Sequence, residues 1–568
     1  MKIIDLDNLS EDQNILINQL AKEIRNDFDN LINKISEQHY NNINWIVSSL
    51  ASRNKYQSSL FIRCLQLEFI KKTLIENPKN SFRIVTSDKT LSKVLKINFS
   101  DNHEIISSET IFLFFWRKLR PFRQYFIAFY FLTLRFLGSR GNINKYKFLK
   151  NSEITLIDTF VLNNKSGDDG SIKNGIYKDR YYPGLLENLS LNERKNIFFI
   201  PTIVGFFNPI SIFKKIRKSN YSFIVHDDFL KLYDYIIVLM HPFSVLNLKF
   251  SDSNFRGIDL KNLLIEERNR NCSDFISLLG ILYYRFSKRL KENDIRVRLL
   301  VEWYENQVMD RGMIKGFHTH YPNCPVHGYQ GYIISKDLHI YTQPSYSEFI
   351  GGAVPDIVFV TGNGLKNNIK EFCKQVKVDV APGFRFNKVN RERKYFPQNN
   401  NFTILIGLPI GLDDCKEILR MFINYSNQNK TIDYVVKPHP TWSENKIKSL
   451  FNNGELSNFS FVKGDFHDHV EKANLLISNA SSVSLEALTK GVPVIIIAPI
   501  SGIVQNPIPD DVSNKIWKLV RNMRELNDSV DYFKKKLVNE DIIDFKYVKR
   551  EYFEPISETS VRNFLKLD

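Results

Sequence analysis

DYVVKPHP (433–440) and ANLLISNASSVSLEALTKGVPVIIIAP (473–499) decide how this chain is read. Each starts as a short run of apolar, largely β-branched residues and ends in groups that can hold an anion. A continuous apolar run of this length, bounded by turn residues, suits a strand buried on both faces of a parallel sheet. Ligands bind such sheets at the carboxyl ends of the strands. Lys437 and His439, in a loop stiffened by Pro438 and Pro440, are placed to donate to phosphate oxygens. In the second stretch, Ser481 and Ser482 stand at a strand-to-helix junction, where hydroxyls and free helix amides suit a phosphate. Glu486 follows within the helix, in reach of a ribose hydroxyl. The plainer alternatives are an ordinary turn around His439 and simple capping by Ser481 or Ser482. Two neighbouring strand ends converging on one ligand favour the phosphate site.

Moving outward, strand and helix patterns alternate on both sides of these stretches. FTILIGLP (402–409) reads as a strand before the helix DDCKEILRMFINYSNQ, and residues 512–568 read mainly as helix. Upstream, RVRLLV, HGYQGYII, DIVFVTG and VKVDVAPG are strands from about residue 295 onward, with a helix expected at LKNNIKEFCKQ. ITLIDTFVL (154–162) and NIFFIPTIVG (196–205) add two more, and DYIIVLM (234–240) fits either strand or helix. Such alternation implies doubly wound parallel sheets. The polar, asparagine-rich NKVNRERKYFPQNNN (387–401) is the best linker. The expectation is an α/β chain of two Rossmann-like doubly wound domains facing a cleft, with extra N-terminal helices. Residues 1–80 form the helical region and 81–390 the first domain, with an aromatic and basic insertion at 105–140. Residues 391–550 form the second domain and 551–568 a terminal helix.

Composition narrows the partners. The chain has 568 residues and a formal net charge of +16, which favours phosphate-rich or membrane partners. Nucleic acid is not expected among them. Five scattered cysteines argue against a disulfide framework or structural zinc. The opening MKIIDLDNLSEDQ lacks the apolar core of a signal peptide, so a cytoplasmic location is expected. IFLFFWRKLRPFRQYFIAFYFLTLRFLG (111–138) interleaves aromatics with Arg117, Lys118, Arg120, Arg123 and Arg135. It suits either peripheral contact with the anionic inner face of a plasma membrane or a buried helical hairpin.

KPHP followed by SNASSVSLEAL and GVPVI resembles the nucleotide-binding half of GT-B glycosyltransferases that use CMP-activated sugars, such as bacterial sialic acid and Kdo transferases. The likeness covers roughly the last 170 residues. It implies a metal-independent enzyme without a bound cofactor, in which His439, Ser481 and Ser482 hold the nucleotide phosphate. Teichoic-acid polyol-phosphate transferases share similar elements. WIVSSLASRNKYQSSLF (45–61), VEWYENQ (301–307) and HGYQGYIIS (327–335) resemble bacterial surface-carbohydrate proteins of O-antigen and capsule loci. The resemblance implies transfer from a nucleotide sugar, a CMP-ulosonic acid favoured, to a surface polysaccharide or lipid-linked glycan.

The first domain should supply the reacting carboxylate. Glu302 and Glu305, three residues apart, would share a helical face, either as catalytic groups or as solvated surface glutamates. Gln330, Gly331, Gly362, Gly364, Gly383 and Arg385 follow strands and are cleft candidates. His318, His320 and His327 raise the weaker prospect of a metal site, and no DxD diphosphate–metal motif stands out. Asp227-Asp228 resembles the acidic motif of bacterial sialyltransferases, but Phe229 stands where a glycine is expected. Rival readings are a CDP-linked polyol-phosphate transferase, a nucleotide-sugar epimerase and a non-catalytic assembly protein.

Overall fold

The computed structural model describes residues 1–163, 170–205, 208–339, 341–390, 401–452, 454–479, 481–499, 502–535 and 542–567. The linker expected at 387–401 therefore lies largely outside the described residues.

Three parallel sheets organise the chain. The smallest is built from β1 (Lys2–Asp5), β2 (Phe82–Thr86) and β3 (Glu104–Ser107), in that order across the sheet. Helices Glu11–Glu23, Arg25–Ser36, Leu60–Glu76 and Lys89–Phe99 belong to the same unit. Asp88 caps the last of these by accepting from the Thr90 and Leu91 amides. The sequence reading placed residues 82–86 with the first large domain and saw only helix before residue 80. Instead β2 pairs with β1, which is only four residues long and stops at the Ser10 helix cap.

The first large sheet uses β4 (Glu153–Leu162), β7 (Ile197–Val204), β10 (Arg296–Trp303), β11 (Val326–Gln330), β12 (Ile357–Val360) and β13 (Val378–Val380). Two small hairpins intervene, β5 (Ile172–Lys173) with β6 (Ile176–Tyr177), and β8 (Asn254–Phe255) with β9 (Ile258–Asp259). The order across the sheet is β13-β12-β11-β10-β4-β7, all parallel. Chain direction across the sheet reverses between β4 and β10, which makes that point the topological switch.

The second large sheet runs β16 (Phe459–Phe461), β15 (Ile432–Lys437), β14 (Phe402–Gly407), β17 (Leu475–Ser478), β18 (Val494–Ile497) and β19 (Trp517–Val520), again all parallel. This is the 3-2-1-4-5-6 order of the doubly wound dinucleotide-binding fold, with its switch between β14 and β17. The chain is thus α/β with two Rossmann-like units. In the second sheet β17 and β18 are almost wholly aliphatic and fully buried, as a sheet covered by helices on both faces requires.

Several local expectations change. DYIIVLM, open between strand and helix from sequence, lies in the helix Leu232–Leu246. Only Lys366–Ile369 of the helix expected at 365–375 forms. β19 interrupts the helical reading of 512–568. The aromatic segment is one 29-residue helix, Ile111–Ser139, rather than a buried hairpin. Among the described residues, no helix is long and apolar enough to cross a membrane. The final helix, Glu558–Leu565, returns to the first large sheet, where the Phe564 carbonyl meets His327 Nδ1 at 2.9 Å and Arg298 donates to the Leu565 carbonyl.

Candidate functional site

Both motifs of the second unit sit at the carboxyl edge of its sheet. β15 ends at Lys437 and β17 at Ser478. They are not neighbours, as expected from sequence, but flank β14. With strands spaced by 4.7–4.9 Å, their ends are about 10 Å apart. The loop after β14, from Leu408 to Gly411, lies between them and completes this edge.

His439 is half-buried. Its Nδ1 accepts the Thr441 backbone N–H at 3.2 Å and lies 2.8 Å from the Thr441 hydroxyl. An accepting Nδ1 puts the ring proton on Nε2. Burial, then the charges of Arg180, Lys437 and Arg385, push its pKa below the ordinary histidine value, so the ring is a neutral Nε2–H donor at neutral pH. Ser482 occupies the N-cap of the helix Val483–Thr489 but makes no side-chain cap hydrogen bond, against the capping alternative. Among the described residues the Ser481 and Ser482 hydroxyls have no hydrogen-bond partner, and Ala480 between them and the strand lies outside the described residues. The helix is only seven residues long, so hydroxyls and nearby cations carry more of any anion binding than its dipole. Glu486, near its start, is held by His467 Nε2 at 2.9 Å.

The first unit faces this edge with two arginines. Asp179 accepts the Tyr181 and Tyr182 amides, each at 2.9 Å, and this turn presents Arg180 just after the β5–β6 hairpin. Arg385 follows β13. Both are half-buried, and among the described residues neither has an ion pair or a hydrogen bond. Burial, and next the like charge of Arg180, lower the Arg385 pKa, with Tyr181, Glu486 and Glu305 opposing. Arg385 therefore lies within electrostatic reach of residues from both units. Arg180 and Arg385, which form no ion pair among the described residues, lie with Lys437 and the neutral His439 ring within electrostatic reach of one another. Arg180 escaped the sequence reading because it stands beyond the polar loop 163–175, part of which lies outside the described residues.

The two glutamates separate. Glu302 is the penultimate residue of β10, not part of a helix. It is 1% exposed, its Oε2 has no hydrogen-bond partner among the described residues, and burial followed by Asp158 raises its pKa well above the usual carboxylate range. It is a neutral acid in the core, neither surface-solvated nor reachable. Asp158, on the adjacent β4, is pushed up to about 7, chiefly by burial, and accepts the Thr202 hydroxyl at 2.7 Å. Glu305 lies in the turn before the helix Val308–His320 and is only half-buried. Trp303 Nε1 donates to Oε1 at 2.9 Å and Gln307 Nε2 to Oε2 at 2.5 Å, leaving a fixed carboxylate at the β10 end, beside the switch point.

The other candidates have structural work. Gly362 lets the returning chain pass, since a Cβ there would lie 2.2 Å from the Glu551 carbonyl oxygen. At Gly331 a Cβ would lie 2.4 Å from the Trp303 ring, and at Gly364 2.9 Å from Tyr552. Gly383 donates its amide to the Glu554 carbonyl at 2.9 Å. Gln330 is buried beside Tyr332. The three histidines do not converge: His318 Nδ1 meets the Gly352 carbonyl, His320 sits beside the Tyr284 ring, and His327 meets Phe564. Asp227 is a structural carboxylate, paired with Arg135 at 2.6 Å and accepting from Tyr235, while Asp228 pairs with Arg217 and Tyr146. Asp5-Leu6-Asp7 does form a DxD triplet, but Asp7 is taken up by the Ser87 amide and hydroxyl.

No protein-family model matches this chain. No curated protein matches it either. Solved structures similar to it include an S. aureus MnaA–UDP complex, 10% identical, covering 73% of this chain and 98% of that one at a TM-score of 0.42. A Neisseria meningitidis UDP-GlcNAc 2-epimerase bound to UDP-GlcNAc is 12% identical, with 73% and 99% covered and a TM-score of 0.40. Acinetobacter baumannii MurG is 11% identical, with 73% and 99% covered and a TM-score of 0.38. These likenesses are too low to carry a functional argument, which rests on the site.

Proposed function

We propose that the chain is a GT-B-type glycosyltransferase that moves a sugar from a nucleotide donor to a bacterial surface glycan or lipid-linked acceptor. One observation carries the reading: Arg180 and Arg385 of one unit, neither with an ion pair or hydrogen bond among the described residues, lie within electrostatic reach of each other and of the neutral His439 donor of the other unit. Partly desolvated arginines without a direct ion-pair partner among the described residues are the arrangement that a phosphate would satisfy.

In the proposed reaction the bond from anomeric carbon to phosphate oxygen breaks and a bond from acceptor oxygen to that carbon forms. The acceptor proton passes to Glu305, whose carboxylate is held in place by Trp303 and Gln307. Negative charge develops on the leaving phosphate. Arg180, Arg385, Lys437, the His439 Nε2–H and the Ser481 and Ser482 hydroxyls stabilise it, an electrostatic contribution that needs little rearrangement. Glu486, anchored by His467, is assigned to the ribose. The favoured donor is a CMP-ulosonic acid, on the strength of the KPHP and SNASS elements alone. The favoured setting is the cytoplasmic face of an anionic membrane, where a lipid-linked acceptor would lie.

A thermal-shift series with CMP, CDP, UDP and GDP tests the reading, because a ligand selective for the folded state raises its stability by mass action. Stabilisation by one nucleotide, lost in His439→Ala, supports it; no shift with any of them contradicts it. Product analysis then separates the rivals: a glycosidic bond supports transfer, a phosphodiester indicates polyol-phosphate transfer, and an altered donor without acceptor indicates an epimerase.

A further inference from the structure

The helix Ile111–Ser139 has two unlike faces. Ala128, Leu132, Arg135 and Ser139 are buried, at the spacing of one helical stripe. On the opposite side Phe112, Phe115, Leu119, Phe122, Phe126 and Phe129 also recur every three or four residues, yet each is 50–69% exposed. Tyr125 meets Phe243 of the helix Leu232–Leu246, with ring centroids 6.3 Å apart, and there Ile236, Met240 and Phe243 are about half exposed. The apolar face thus continues across two helices, and contiguous exposed patches of this kind mark interaction surfaces.

Charge decides the occupant. The helix carries no Asp or Glu over its whole length. Arg117 is answered by Glu109, Asp88 and Glu266. Arg120 and Arg123 have no ion pair or hydrogen bond among the described residues. With Trp116, Arg117 and Arg270 they open onto a cavity of about 440 Å³, whose two lining carboxylates, Asp88 and Glu109, are engaged by Arg117. Arg270 is itself held by Glu267, and burial and then the Arg270 charge lower the Arg120 pKa. A second copy packed on the aromatic stripe would set basic flanks against basic flanks, with no acidic residue on either helix to answer them. An anionic bilayer supplies both the apolar phase and the missing negative charge.

We propose that this face docks on an anionic phospholipid bilayer, the Phe112–Phe129 stripe entering the acyl boundary while the Arg120–Arg123 cavity takes a lipid phosphate. The inference names the membrane partner of the proposed transferase and rests on that reading for its purpose, though not for its geometry.

Vesicle flotation of the full chain tests it, using phosphatidylcholine alone and phosphatidylcholine mixed with phosphatidylglycerol. Binding to the mixed vesicles is expected, with weak or no binding to the neutral ones. Each basic residue near an anionic surface contributes roughly a fivefold gain in partitioning, so Arg120→Gln/Arg123→Gln should bind about thirtyfold more weakly. Phe112→Ser/Phe115→Ser should also release the chain from the mixed vesicles. All four positions lie on the exposed helix, and unchanged unfolding curves check that the variants fold. Equal binding of wild type and the arginine variant to mixed vesicles would overturn the proposal. So would absence of vesicle binding combined with dimerisation that the phenylalanine variant abolishes. Nucleotide thermal shifts on the same variants keep the two readings apart: they should be unchanged, and their loss from wild type would count against the transferase alone.

Discussion

Two sets of buried or half-buried arginines can be compared. In the interior between the small unit and the first large sheet, Arg53 meets Asp29 at 2.7 Å and Glu348 at 3.1 Å, and Arg311 meets Glu348 at 2.7 Å. Arg135 and Arg289 are paired in the same way with Asp227 and Asp234. In the cleft, Arg180 and Arg385 have no such partners among the described residues and are close enough for Arg180 to lower the Arg385 pKa. A cation whose counter-charge is built into the fold holds the fold together. A cation kept partly out of water without one is destabilising until something anionic arrives. The same distinction applies to carboxylates. Glu302 is a protonated member of the core, whereas Glu305 is held by donors at the edge of the cleft.

The widest separation between interior and cleft is expected in turnover. Glu305→Gln should reduce kcat by about 10²–10⁴ while leaving stability nearly unchanged, the usual range for removing a general base. Glu302→Gln should leave kcat alone, because a neutral acid becomes a neutral amide; similar kinetic losses in both variants would erase the distinction. Next in size is the fold. Arg53→Ala leaves Asp29 buried without its cationic partner and Glu348 with Arg311 alone, and should cost about 3–5 kcal/mol in urea unfolding. A loss comparable to that of an exposed salt bridge would mean the network is solvated.

A smaller effect should appear with pH. The folded-state pKa of Asp158, about 7, lies above its ordinary value of 3.8, so its contribution to stability is complete below 3.8 and is lost as pH rises through 7. Asp158→Asn should therefore gain stability relative to wild type over that window. A difference between the two that does not vary with pH would show the carboxyl to be ionised throughout.

The second unit was legible because its signals are local. Five short aliphatic runs, each followed by a turn or helix start, reproduce β14 to β18. β19 was missed because WKLV is only four residues long, and three of them are only part-buried, so it shows neither a continuous apolar run nor an alternation. The first part was harder. The end of β1 at Asp5 and the start of β2 at Phe82 are separated by 76 intervening residues, and nothing local to either announces their pairing. Glycines at 331, 362 and 364 looked like ligand contacts because close backbone approach to a ring or a returning chain leaves the same mark in sequence as close approach to a substrate. Arg180 illustrates the remaining gap: an isolated arginine after a polar loop has no pattern, and its place in the cleft follows only from the Asp179 turn.

The most direct test of the unanswered cations compares wild type with Arg180→Ala/Arg385→Ala in nucleotide titrations followed by thermal unfolding. The double variant should be as stable as wild type or slightly more so without ligand, since two uncompensated charges are gone. It should lose the nucleotide-dependent stabilisation, each charged hydrogen bond being worth about 1.5–3 kcal/mol of binding. A double variant that is strongly destabilised without ligand, or that responds to nucleotide as wild type does, would contradict the account.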